Sequence, residues 1–227
     1  MNSRSSLQLA LDLRPRRRDG SLRKKVGRKP KHDASLRHRM RPLLSRHTPL
    51  LVTLKAQPHL PSFREEVLLK ALMRAVRLTR REDFRIVEFS IQADHLHLIV
   101  EAEDKSALSR GMKSFTVRCN RLFNAALGRR GPLWNGQRYH RRDLETPRQV
   151  RNALVYCLCN FRKHHRPNAC APVDHASSGP WFVGWLDWPV TLAMNDERPS
   201  SLPRSYLLRE GWRKWGALLT SELPVMH

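Results

Sequence analysis

Two histidines one residue apart, His95-Leu96-His97, and a tyrosine four residues ahead of an asparagine, Tyr156 and Asn160, are the residues whose types and spacing could do chemistry. On a strand, alternate side chains share a face, so the two imidazoles project together while Leu96, Leu98 and Val100 point the other way. A same-face pair of imidazoles is a workable start to a metal site. It is equally a pair of satisfied sheet histidines if nothing else converges on it. Tyr156 and Asn160, four apart on a helix, lie on one face. They suit a nucleophile and a neutral oxygen ligand, and Tyr156 also reads as an amphipathic residue at the edge of a core.

The elements that would position these residues follow from periodicity. Pro49–Lys55 is short and β-rich and reads as a first strand. Pro61 opens a helix to about Arg80, with Phe63, Val67, Leu68, Leu72 and Val76 at helical spacing. Phe84–Gln92 alternates as a second strand, and Ala93-Asp94 turns tightly into a third, His95–Glu101. A second helix covers about Lys105–Leu127, with Leu108, Met112, Phe115, Cys119, Leu122 and Ala126 on its apolar face. After Gly128–Pro132, a fourth strand spans Leu133–Arg142. Thr146 caps a third helix opened by Pro147 and running to about His165. Its buried stripe is Val150, Leu154, Cys157 and Phe161; its polar stripe is Asn152, Tyr156, Asn160 and Lys163. The order β-α-β-β-α-β-α predicts an α+β fold of ferredoxin-like βαββαβ type, an antiparallel sheet with helices on one face and the third helix extra to it.

Charge is the other strong feature. Lys and Arg number 43 against 20 Asp and Glu in 227 residues, a formal net charge of +23. Such an excess resists compaction unless an anionic partner relieves it, and the dominance of Arg suits phosphate. Arg110, Lys113, Arg118 and Arg121 on the second helix, Arg138, Arg141 and Arg142 on the fourth strand, and Lys163 on the third helix are candidate contacts to a nucleic-acid backbone. Residues 1–46 read as a basic, poorly ordered arm, 47–166 as the folded domain, and 167–227 as an extension holding five of the six tryptophans. No apolar run reaches membrane-spanning length, and Leu7–Leu13 is too short and too polar for a secretory segment. Four cysteines in a chain of this size point to a reduced, cytoplasmic protein. Cys157 and Cys159, two apart on a helix, diverge and do not make a zinc pair.

His95-Leu96-His97 followed by a basic helix resembles the HUH motif of single-tyrosine, insertion-sequence-type transposases. Gly131-Pro-Leu-Trp-Asn-Gly-Gln-Arg-Tyr-His140 is similar to the Gly-x-Leu-Trp-x-x-Arg stretch of REP-associated tyrosine transposases, and Tyr156-Cys-Leu-Cys-Asn160 to their Tyr-x-x-x-Asn. The resemblance covers about residues 47–166. It implies that Tyr156 is the nucleophile forming a 5′-phosphotyrosine link, and that His95, His97 and Asn160 hold a divalent metal, Mg²⁺ or Mn²⁺. It further implies single-stranded or hairpin DNA as partner, a monomer or homodimer, and a nucleoid-associated place in the bacterial cytoplasm. The family continues Asn-Pro after the tyrosine, whereas this chain has Asn160-Phe161, which leaves the geometry at Asn160 open.

Three function classes follow. The first is a metal-dependent transposase that cuts and rejoins single-stranded DNA. The second is a catalytically inactive protein on the same fold that binds structured DNA. The third is an RNA-recognition module, ranked last because the third strand carries no aromatic residue on which bases could stack.

Overall fold

The β-rich run Leu50-Leu-Val-Thr-Leu54 seeds the centre of the molecule. The computed structural model describes residues 44–136, 139–164, 172–188 and 197–224 together with Asp19, with the backbone alone at 163 and 164. The chain divides into two units, Met1–Pro42 and Leu43–His227. The first, with most of the expected basic arm, lies outside the described residues apart from Asp19. The second contains β1 (Leu50–Lys55), α1 (Glu66–Leu78), β2 (Phe84–Ile91), β3 (His95–Ala102), α2 (Lys105–Ala126), β4 (His140–Asp143), α3 (Pro147–Cys159), α4 (Phe161–His164) and α5 (Tyr206–Arg209).

The sheet order is β2-β3-β1-β4, and every neighbouring pair is antiparallel. Each helical crossover therefore skips one strand, α1 stepping over β3 and α2 over β1. This is the ferredoxin-like arrangement expected from the order of elements.

Strand alternation sorts the side chains into two cores. Leu50, Val52 and Leu54 join Leu96, Leu98 and Val100 on one face, beneath Leu68 and Leu72 of α1 and Met112, Phe115 and Cys119 of α2. A register shift between Ile86 and Glu88 resets the parity of β2. Ile86 and Phe89 therefore both reach the first core, while Val87 turns to the opposite one. Asp104 caps α2 by accepting from the Ala107 N–H at 2.7 Å, and Thr146 and Gln149 form a full capping box on α3.

The two crossover helices α1 and α2 lie on one face, as expected, and α3, extra to the motif, covers the other. Val150, Leu154, Cys157 and Leu158 of α3 pack with Val87 and Ile99 of the sheet and with Phe182, Leu208 and Trp212 of the C-terminal segment. Sandwiched between sheet and extension, α3 is buried on most of its circumference, so its expected polar stripe breaks up. Asn152 is exposed, Tyr156 is half-buried and Asn160 is only 2% exposed.

The C-terminal segment also covers the outer edge of β2, where unpaired backbone groups would otherwise invite association. The Ser178 N–H donates to the Phe89 carbonyl at 2.9 Å, and the Ile91 N–H to the Ala176 carbonyl at 2.8 Å. Arg64 clamps Asp174 through two hydrogen bonds of 2.9 and 2.7 Å. Glu88 is buried and pairs with Arg198 at 2.9 Å; burial pushes its carboxyl above the usual range against the pull of that guanidinium.

Several boundaries differ from expectation. Helix α1 begins at Glu66 rather than Pro61 because Phe63 is drawn into the core against Phe123 and Trp134, its N–H donating to the Ala93 carbonyl. Val67, expected to be apolar-facing, is exposed. The fourth strand shrinks to His140–Asp143, because Gly136 at φ 77° turns the chain after a single bridge between Trp134 and Ala56. Phe161 does not prolong the third helix as one rod: the turn residue Asn160 separates α3 from the four-residue α4. No helix among the described residues is long and apolar enough to cross a membrane.

Candidate active site

The cross-strand register assembles the site. On the face covered by α3, His97 stands opposite Thr53 of β1 on one side and Ser90 of β2 on the other, and Thr53 in turn stands opposite His140 of β4. Lys55 is the partner of His95 in the next row. One end of the sheet therefore carries a polar floor in place of a hydrophobic one.

The two imidazoles face each other, with Nε2 of His95 and Nε2 of His97 3.0 Å apart. Their other ring nitrogens are oriented from behind. Nδ1 of His95 lies 2.7 Å from the Asp94 carboxylate, whose pKa is lowered chiefly by that hydrogen bond. A carboxylate of lowered pKa accepts, so Nδ1 of His95 carries a proton, and in the neutral ring the Nε2 lone pair points inward. Nδ1 of His97 lies 3.1 Å from the Thr53 hydroxyl, which can donate or accept and so serves either tautomer of His97.

This donor set fits a divalent metal. Two ligands in adjacent octahedral positions, each about 2.1 Å from a metal, stand about 3 Å apart, close to the Nε2 separation found here. The Asp94–His95 contact is the outer-sphere bond that metal-binding imidazoles ordinarily make. Among the described residues, no group of three or more His, Cys, Asp and Glu converges, so a further ligand drawn from those residues has to be a neutral oxygen. A buried amide supplies one candidate that sequence reasoning missed. Gln92 donates to the Ser90 hydroxyl at 2.7 Å, and its carbonyl oxygen is buried without a hydrogen-bond partner.

Helix α3 brings Tyr156 onto this floor. Its ring packs against His97, with centroids 4.7 Å apart and planes at 67°. Burial, with a smaller contribution from Cys157, raises the phenol above its ordinary pKa. Asn160 lies one turn further along, buried at the C-cap of α3, and takes no part in the ring contacts. The described cysteines stay out of the chemistry: burial raises the Cys119 and Cys157 thiols well above their ordinary range, and Cys159 to about 12; Cys170 lies outside the described residues.

The candidate DNA contacts divide by layer. Arg110, Lys113, Arg118 and Arg121 ride on α2, across the sheet from the imidazoles. Arg110 is held by Asp83 at 2.8 Å. Arg141 is turned inward, donating to both Asp143 oxygens at 2.6 Å, with its side chain 4% exposed; a guanidinium so committed is not available to a phosphate. Arg142 alternates with it, is exposed and shares the site face. Lys55, on that face beside His95, is a further cation that sequence reasoning missed; alternation along Pro49–Lys55 pairs it with Thr53, but only the register places both against the histidines. Arg138 and the side chain of Lys163 lie outside the described residues. Trp185 and Trp212 pack around Phe182, and exposed Trp215 lies under Arg148.

Residues 57–142 match the family described as transposase IS200 like. That span is less than half of the chain; it includes His95 and His97 and stops before Tyr156. No curated protein matches. Among solved structures, the chain is similar to a REP-associated tyrosine transposase bound to a REP hairpin, at 16% identity and a TM-score of 0.45 over 56% of this chain and 73% of that one.

Proposed function

We propose that this protein is a metal-dependent transposase that cleaves and rejoins single-stranded DNA through a 5′-phosphotyrosine intermediate at hairpin-forming repeats. The observation that carries the reading is the packing of Tyr156, the lone tyrosine of α3, against His97 of a convergent imidazole pair. The match of residues 57–142 to IS200-like transposases supports the class, and the net charge of +23 supports a polyanionic partner.

In this reading His95 and His97 hold Mg²⁺ or Mn²⁺, with the amide oxygen of Asn160 or Gln92 as a further ligand. A metal so held polarises the scissile phosphate and offsets the charge of its transition state. Asp94 and Thr53 keep both rings facing inward. Tyr156 Oη attacks the phosphorus, a P–O bond forms to the phenol, and the bond to the 3′ oxygen breaks. The phenol loses a proton and the departing 3′ oxygen gains one. Attack by a 3′ hydroxyl on the phosphotyrosine reverses these changes and rejoins the strand, so the bond energy is conserved and no nucleoside triphosphate is needed. Arg142 and Lys55 stand on the same face to hold the strand by its phosphates.

The test is a denaturing gel of the full chain with end-labelled hairpin DNA and Mn²⁺. The reading expects a protein–DNA adduct that chelator prevents and that Tyr156→Phe abolishes while still binding the DNA. Tight DNA binding without an adduct under any divalent metal would replace it with the structured-DNA-binding reading.

A further inference from the structure

Beside the imidazole site the sheet end opens into a second cleft, on the side of α2. It encloses about 380 Å³, within the range of small-ligand sites. Its walls include Trp134, Tyr139, Asn135 and Ser109, and Lys55 and Lys113 stand among them; no Asp or Glu lines it among the described residues. Lys55 is also the cross-strand partner of His95, so the cleft and the catalytic face share a rim.

The wall is firmly built. The Trp134 indole N–H donates to the Thr116 carbonyl at 3.2 Å, and its ring meets Phe63 edge-on at 5.9 Å. The Trp134 carbonyl accepts from Gln57 at 3.0 Å, and the Asn135 N–H donates to the Lys55 carbonyl at 2.8 Å. These contacts fix an aromatic surface before any ligand arrives, which lowers the entropy lost on binding. Exposed amide and hydroxyl groups, Asn135 and Ser109, offer both donors and acceptors beside it.

We infer that this cleft receives an unpaired nucleobase from the DNA strand that passes over His95, with Lys55 and Lys113 holding its phosphates. The inference rests on the proposed function for the strand's presence. Aromatic walls take the flat faces of bases, the ammonium groups of Lys55 and Lys113 take the backbone, and Asn135 and Ser109 meet the hydrogen-bonding edge. The cleft would thus give the enzyme a base preference next to the cut. At the other end of the sheet another cleft, lined by Arg46, Glu82, Arg85, Glu101, Glu103 and Arg204, mixes charges of both signs and suits no polyanion.

The probe is oligo(dT) carrying 5-iodouracil, bound to the full chain, irradiated and mapped by peptide mass spectrometry. The expected crosslink lies on Trp134 or Tyr139. In parallel, Ser109→Phe, which fills the cleft from an exposed helical position, and Lys113→Gln should each weaken oligonucleotide binding about tenfold, the scale of one lost base stack. Crosslinks confined to other residues, or wild-type affinity in a folded Ser109→Phe, overturn the inference. If the oligonucleotide binds and crosslinks in the cleft but Tyr156 forms no adduct, the cleft stands and the nuclease reading falls. If wild type does not bind single strands at all, both fall.

Discussion

A phenol raised by burial does not ionise unaided near neutral pH, so Tyr156 depends on its surroundings to become a nucleophile. The folded chain holds the Tyr156 proton more tightly than the unfolded chain. That linkage favours the fold below the ordinary phenol value of 10.0 and is lost as pH rises through the raised value. Difference titration at the phenolate absorbance, metal-free wild type against Tyr156→Phe, should give a midpoint above 10; a midpoint below it contradicts the geometry. The orientation of His95 makes a second claim at this scale. Asp94→Asn removes the carboxylate that fixes the ring, and loss of such an outer-sphere partner typically weakens metal binding 10- to 100-fold. Titration of free Mn²⁺ by electron paramagnetic resonance measures this directly, and unchanged affinity would separate Asp94 from the site.

At the scale of elements, α2 must lie close to β2 for the sheet to keep its first core. Gly111 allows it: a Cβ there would meet the ring of Phe84. Gly111→Ala should therefore destabilise by about 1–3 kcal/mol, the usual range for overpacking, visible as a lower Tm. A Tm at or above wild type would mean that the ring has room to move. Much of this level was legible in the sequence, because β1 to β3, α2 and the start of α3 rest on local rules: alternation, helical period and a capping Thr146 followed by Pro147. What was not legible depends on partners distant in sequence. The late start of α1 reflects Phe63 being claimed by Phe123 and Trp134. The burial of α3 reflects a C-terminal segment whose Trp212 and Phe182 cover it. The candidate site divides the same way. His95, His97, Tyr156 and Asn160 could be picked out by spacing, whereas Thr53, Lys55 and Gln92 could not, since only sheet register brings them together. Arg141 looked like its neighbours until its pairing with Asp143 became visible.

The whole molecule carries a charge of +23, and that excess should set how it meets DNA. The logarithm of the affinity for a single strand is expected to fall linearly with the logarithm of salt concentration, with a slope of about −0.7 per phosphate neutralised. Affinity that stays flat from low to moderate salt would remove the cations as DNA contacts, whatever the chemistry at Tyr156. If Tyr156 cuts the strand, the phosphate is bonded to that phenol, and locating the bond tests this directly. Full-length protein is reacted with hairpin DNA and Mn²⁺, digested with nuclease and protease, and the nucleotide-bearing peptide is sequenced by mass spectrometry. The expected result is a 5′-phosphate on Tyr156. A link on Tyr139, on Tyr206 or on no tyrosine at all, from protein that binds the DNA, would contradict it.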